Sequence, residues 1–370
     1  MKNQTNLTLI QLTFFMIQTQ IGVGILGLPF NVISVSKQDG WISILLSGVI
    51  IQIIITLLWI LARRFPDKSI FQYSTVLTGK VFGNVINISY IVYGLLVTSL
   101  ILMSAAAIIK MWALPLTPKW IVMFMLISTA VYLGKENIEV ITNIYVVVSS
   151  LILLLIIISI VVLVVYPVEW IYLFPIGQSG WMPILKGMNE AYFSMLGFEL
   201  ILIVYPYFQR NGDKSIYSSV TMANISVTLT YTFLTIVTLM TFSPAELKII
   251  PQPVLYFVKS LYLQIVERID LLFVSLWVVN VITSLTSYLF LSTQGSVLLF
   301  KKFKKVKRSL ITICFGTLAC CLALVPHKPT EMDMFNEAVI NASYLFVLII
   351  PILFLMISLI LKKKERGKEK

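Results

Sequence analysis

The apolar positions of this chain fall in long unbroken runs separated by short polar segments. A bilayer hydrocarbon core of about 30 Å takes about 20 apolar residues as a helix. On that measure the runs predict ten spans, at residues 8–36, 41–62, 85–112, 120–134, 138–166, 182–208, 218–242, 269–300, 310–326 and 336–361. The fourth is short and the eighth long. The runs are continuous and lack period-two alternation, which predicts helices rather than barrel strands. Two further stretches, 69–80 and 254–265, are amphipathic and predict interfacial or short loop helices.

Composition agrees. Of 370 residues, 58% are hydrophobic and 12% charged, with a mean hydropathy of +0.94. Soluble domains carry about 25% charged residues, so lipid must replace water as solvent for most side chains. The chain, 1–370, reads as one membrane domain. Its first apolar segment is too long for a cleavable signal peptide and reads as the first span.

The formal net charge is +12. In a soluble chain that would raise nucleic acid as a partner. Here the basic residues sit in short loops and the tail: Arg63, Arg64, Lys68 and Lys80; Lys135; Arg210 and Lys214; the run 301–308; and the residues from Lys362 on. With the N-terminus inside, every basic cluster lands on one face, as the positive-inside rule requires. Both ends are therefore expected in the cytoplasm of a bacterial membrane. The run 301–308 reads as a topology signal rather than a lipid-headgroup site. Cys314, Cys320 and Cys321 share one apolar segment and read as packing residues. With one histidine, His327, no metal site is expected. Neither a cofactor nor an enzymatic activity is expected, because no nucleophile–base pair or phosphate loop appears.

The first span is interrupted where helix propensity should be highest. Residues 21–29 read Ile-Gly-Val-Gly-Ile-Leu-Gly-Leu-Pro, just after the polar Gln18, Thr19 and Gln20. Inside a helix, Gly costs about 1 kcal/mol and Pro about 3 kcal/mol relative to Ala. Gly22, Gly24 and Gly27 match G-x-G-x-x-G, but the dinucleotide reading needs a preceding strand and a βαβ unit. Close helix packing through small residues is the simpler reading. It leaves Pro29 and the polar run unexplained, so an unwound binding segment is expected.

The sixth span carries a matching irregularity: Asn189 and Glu190, then Ser194, Met195, Leu196, Gly197, Phe198 and Glu199, then Pro206. Glu199 lies deep in an apolar run, where a carboxylate must face protein or water and is a functional candidate. The alternative is a neutral acid bonded to a neighbouring Ser, Thr or Asn. Spans one and six hold corresponding places in a five-plus-five scheme, with repeats at about 8–166 and 182–361 and opposite orientations. Paired interrupted helices in inverted repeats point to a midplane binding site. Half-helix N-termini suit an anion and opposing carbonyls an ammonium. That combination fits a small zwitterion such as an amino acid. In the eighth span, Thr283, Ser284 and Ser287 share one helical face. They either line a hydrated cavity or ion path, or bond back to carbonyls and neighbouring helices.

The pattern resembles the amino acid–polyamine–organocation transporter superfamily. Residues 19–29 (Thr-Gln-Ile-Gly-Val-Gly-Ile-Leu-Gly-Leu-Pro), the Gly-Phe-Glu at 197–199 and the compact ten-span length resemble, within it, the endospore germination permeases, the B subunits of nutrient germinant receptors. The resemblance covers essentially the whole chain. It implies a germinant sensor in the inner spore membrane, acting with a membrane-embedded A subunit and a lipoprotein C subunit on an amino acid or similar nutrient. By motif match, Gly22, Val23, Gly24 and Ile25 would hold the carboxylate through backbone amides. The backbone from Phe193 and Ser194 to Leu196 would face the ammonium. Thr283 and Ser284 fall where some sodium-coupled relatives place ion ligands. Proton-coupled relatives often carry a lysine in span five, and 138–166 has none. A sensor subunit, an amino acid permease and a ligand-gated ion or water channel would all use the same site.

Overall fold

The first helix starts where the sequence supplies a cap. The Thr8 hydroxyl accepts from the Gln11 N–H at 3.3 Å, and the Gln11 side chain accepts from the Thr8 N–H at 2.6 Å, a reciprocal box that satisfies two otherwise orphaned donors. From there α1 (Leu9–Gln20) runs to the break, and α2 (Gly24–Ser36) resumes beyond it. These coordinates, a computed structural model, describe residues 7–165, 167–261, 268–299 and 307–364.

After α2 the chain doubles back at Lys37, whose φ is 52°. The hydroxyls of Ser36 and Ser43 meet at 2.9 Å, although seven residues of straight helix would separate them by about 10 Å. Then follow α3 (Gly40–Ala62), α4 (Ile70–Thr78), α5 (Lys80–Trp112), α6 (Lys119–Gly134) and α7 (Ile138–Val165). The second half comprises α8 (Trp181–Ser194), α9 (Ile201–Phe208), α10 (Asp213–Thr241), α11 (Pro253–Ser260), α12 (Ile269–Leu299), α13 (Arg308–Leu324), α14 (Pro329–Ser343) and α15 (Ile350–Ile360). A π-helical stretch, Tyr344–Ile349, joins α14 to α15.

Among the described residues, six helical runs are long and apolar enough to cross a bilayer. One of them, Gly24–Ala62, contains the reversal at Lys37 and so holds the second half of span one and all of span two. Trp181–Ser194 and Phe198–Asn211 form a further span bent by 51°, and Lys119–Gly134 and Arg308–Leu324 are shorter apolar helices. With α1 joined to α2, these are the ten expected crossings. The protein is an all-α membrane protein of the five-plus-five inverted type, discontinuous in helices one and six. An apolar belt faces lipid: on α7, for example, Val147, Leu153, Ile157 and Val164 are exposed. In water such a surface would be a liability.

One expectation of detail shifts. The amphipathic stretch 69–80 holds the short helix α4, as expected, but span three begins at Lys80 rather than residue 85. Buried Asn87 holds that junction: its amide donates to the Phe71 carbonyl at 2.8 Å and accepts from the Ser74 hydroxyl at 2.7 Å. Of the predicted basic run, residues 301–306 lie outside the described residues. So do Lys2, Tyr166, Phe300, the part of the amphipathic stretch 254–265 from 262 onward, and the tail from 365.

The half of span one after its break, α2, and the half of span six before its break, α8, are fastened together. α2 packs most extensively on α8, and α8 in turn on α3. Asp39 is fully buried and accepts from the N–H groups of Gly177 at 2.7 Å and Ser179 at 3.0 Å. Ser36 donates to the Pro183 carbonyl at 3.0 Å, and Ser43 to that of Ile184 at 3.0 Å. The other half of span one, α1, packs instead on α10 and α7.

Candidate functional site

A helix end leaves its last carbonyls without partners. At the end of α1 side chains from α12 and α10 supply them. Ser284 reaches the carbonyls of Gln18 at 3.0 Å and Thr19 at 3.4 Å. Tyr231 donates to the Gln20 carbonyl at 3.2 Å, and the Trp277 indole to that of Gly22 at 3.3 Å. Thr283 donates to the Gln18 amide oxygen at 2.7 Å, and Ser287 meets the Thr19 hydroxyl at 2.8 Å. The Gln18 amide also donates to Ser149 at 3.1 Å.

The shared face of Thr283, Ser284 and Ser287 therefore points at the broken end of α1, and all three hydroxyls bond to it. We expect Thr283→Val combined with Ser284→Ala to cost about 3 kcal/mol, since each lost bond leaves a buried acceptor unpaired. Thermal unfolding in detergent micelles measures this, and an unchanged midpoint would contradict the bracing role.

Span six loses its helix at Met195. Gly197 has φ 128°, in the region open to glycine and strained for other residues. The two breaks touch there: a Cβ on Gly197 would lie 2.8–2.9 Å from Thr19 atoms, two of them backbone. Gly24, the first residue of α2, lies equally close to span six. A Cβ on it would come within 2.9 Å of the Ser194 carbonyl oxygen.

Glu199 follows at once and is 4% exposed. One carboxylate oxygen accepts from Tyr288 at 2.8 Å and Tyr93 at 3.4 Å; the other accepts from the Gly197 N–H at 2.8 Å. Its partners are thus two tyrosines and a main-chain amide, where the sequence suggested Ser, Thr or Asn.

Between the breaks lies a cavity of about 310 Å³. Gly22, Val23 and Gly24 form one wall, and Phe193, Ser194 and Leu196 another, with Ser284 and Tyr288 behind. It continues along α5 to the Pro329 end of α14, where Asp333 and Asn336 line it. Among the described residues, Glu190 and Asp333 are its acids, and its lining holds no Lys, Arg or His. Ile25, Gly197, Glu199, Thr283 and Ser287 stand behind the lining. Among the described residues no group of three His, Cys, Asp or Glu side chains is placed to hold a metal.

The first turn of α2 has no side-chain cap. Its N–H groups, at the positive end of a helix dipole, begin at cavity-lining Gly24. The break itself is shorter than the glycine pattern suggested. Gly24 to Gly27 are helical, and Pro29 lies inside α2.

Sequence reasoning missed Tyr231, Trp277 and Tyr93. Aromatic residues in apolar runs carry no mark that separates a capping hydroxyl or indole from ordinary core.

Ten membrane crossings, two of them broken around a shared cavity, define a membrane protein with the inverted-repeat transporter fold. A solved structure of MhsT in complex with L-phenylalanine shares the fold: the TM-score is 0.71 at 13% identity, covering 98% of this chain and 91% of that one. The chain belongs to the spore germination protein family, whose model (Spore_permease) matches residues 6–332. Similar curated proteins are the spore germination proteins GerQB of Bacillus cereus, 24% identical over 93% of this chain and 94% of that protein, and B2 of Bacillus subtilis, 22% identical over 99% of each.

Proposed function

We propose that this chain is the ligand-binding B subunit of a spore germinant receptor. A small nutrient zwitterion, an amino acid by its chemistry, enters the cavity between the two broken spans. Its carboxylate meets the uncapped N–H groups at the start of α2, and its ammonium faces the wall from Phe193 to Leu196. Occupancy shifts the balance between packings of the two repeats, about 8–166 and 182–361, and partner subunits read that shift. The partners are a membrane-embedded A subunit and a lipoprotein C subunit, in a spore inner membrane with both termini cytoplasmic. The observation that carries this reading is the free α2 N-terminus opening, at Gly24, on a cavity with acids and no base.

Binding of radiolabelled amino acids to the purified chain tests it. A tryptophan in place of Gly24 would project into the cavity and against Ser194. Gly24→Trp is expected to weaken binding at least about 100-fold, or about 2.8 kcal/mol. Unchanged affinity in a folded variant would remove the pocket from consideration.

The alternative is an amino acid permease, favoured by the fold shared with MhsT. Uptake by liposomes holding this chain alone would establish it; flux that needs partner subunits would favour the receptor. A ligand-gated ion or water path along Thr283, Ser284 and Ser287 is less well supported, because their hydroxyls are engaged with α1.

A further inference from the structure

Two glutamines flank Thr19, and only one of them is satisfied. Gln18 uses both ends of its amide, toward Ser149 and Thr283. Gln20 donates to the Met16 carbonyl at 3.2 Å, but its amide oxygen has no partner among the described residues. Gln20 is 2% exposed and lines the cavity. A buried acceptor left empty is costly, and few persist in folded proteins without a reason.

The main-chain carbonyls nearby are already engaged. Those of Gln18 and Thr19 accept from Ser284, that of Gln20 from Tyr231, and that of Gly22 from Trp277. The Ser194 carbonyl, across the cavity, also accepts from Tyr231, at 3.4 Å. Side-chain oxygens in the same lining that can receive a ligand's donors include the Gln20 amide and the carboxylates of Glu190 and Asp333.

Building on the proposed function, we infer that Gln20 is a specificity-determining contact that accepts a hydrogen bond from the ligand's ammonium. The cavity takes small ammonium compounds of zero or positive net charge and excludes dicarboxylic amino acids. An acceptor-rich wall with no base offers a second carboxylate only repulsion and unpaired burial. An N–H group given up at a buried acceptor is a strong discriminator, because the site's own oxygen is then stranded.

The test uses the full chain in lipid nanodiscs. Each of the twenty L-amino acids is assayed for binding, followed by the N,N,N-trimethyl form of the tightest, which keeps the positive charge and lacks N–H donors. Wild type should prefer the free ammonium form by about tenfold or more. Gln20→Met, which keeps bulk without an acceptor, should lose that preference, and Gln20→Glu should retain it. A merely structural role would lower affinity for both forms alike and leave their ratio unchanged. The same preference in Gln20→Met and wild type, or tightest binding of L-aspartate or L-glutamate, overturns the inference and leaves the proposed site standing. Failure of all twenty to bind wild type overturns both.

Discussion

Glu199→Lys should remove folded protein from the membrane, whereas Glu199→Gln should leave it in place. The carboxylate is buried at 4% exposure and takes three donors, from Tyr288, Tyr93 and the Gly197 amide. A glutamine keeps one carbonyl oxygen for the tyrosines and sets its NH₂ against the main-chain donor. That strands one buried donor and costs about 1–3 kcal/mol. A lysine sets its ammonium against the Gly197 N–H and leaves a buried cation only the two phenolic oxygens as acceptors. Insertion alone disfavours a lysine at the helix centre by about 2.5–3.5 kcal/mol, and each stranded donor adds about 1–3 kcal/mol. Total stabilities are about 5–15 kcal/mol, so the lysine variant should not survive. Size-exclusion profiles of the two variants, expressed side by side, decide the matter. Equal loss in both would show that the hydrogen bonds described do not hold this acid.

The second large effect is expected at Gly197. Its φ of 128° costs another residue about 1–3 kcal/mol. The added Cβ would also meet the Thr19 main chain at 2.9 Å, which cannot give way as a side-chain tip can. Gly197→Ala should therefore destabilise by about 3–5 kcal/mol, lowering the melting midpoint in micelles and weakening ligand binding. Gly27→Ala is the control. It lies inside α2, and its Cβ would meet nothing nearer than the Pro251 carbonyl oxygen at 3.9 Å. Helix propensity there favours Ala by up to about 1 kcal/mol. If both substitutions behave alike, the close approach at Gly197 carries no weight.

The contrast between those glycines shows what the sequence could and could not tell. Gly22, Gly24 and Gly27 look equivalent as letters, and together with Pro29 they marked the interruption to within a few residues. Which of them is needed depends on what crosses nearby: Ser284 beside Gly22, Ser194 beside Gly24, and only a distant carbonyl beside Gly27. The spans were legible because lipid imposes a minimum apolar length, and the reversal at Lys37 was bracketed by the gap between 36 and 41. Polar partnerships were not legible. Gln18 and Gln20 share a residue type two positions apart, yet tertiary packing pairs one fully and leaves the other with an open oxygen. Likewise the tyrosines around Glu199 come from α5 and α12, far from it in sequence, and no local pattern links them.

The serine and aspartate bonds that tie α2 to α3, α8 and the 177–179 loop have a mechanical consequence. They hold α2 and α8, one half of each interrupted span, together on α3, while α1 packs on α7 and α10. Where the two breaks touch, at Gly197 and Thr19, any change of spacing would therefore have to carry α2 and α8 along as one piece.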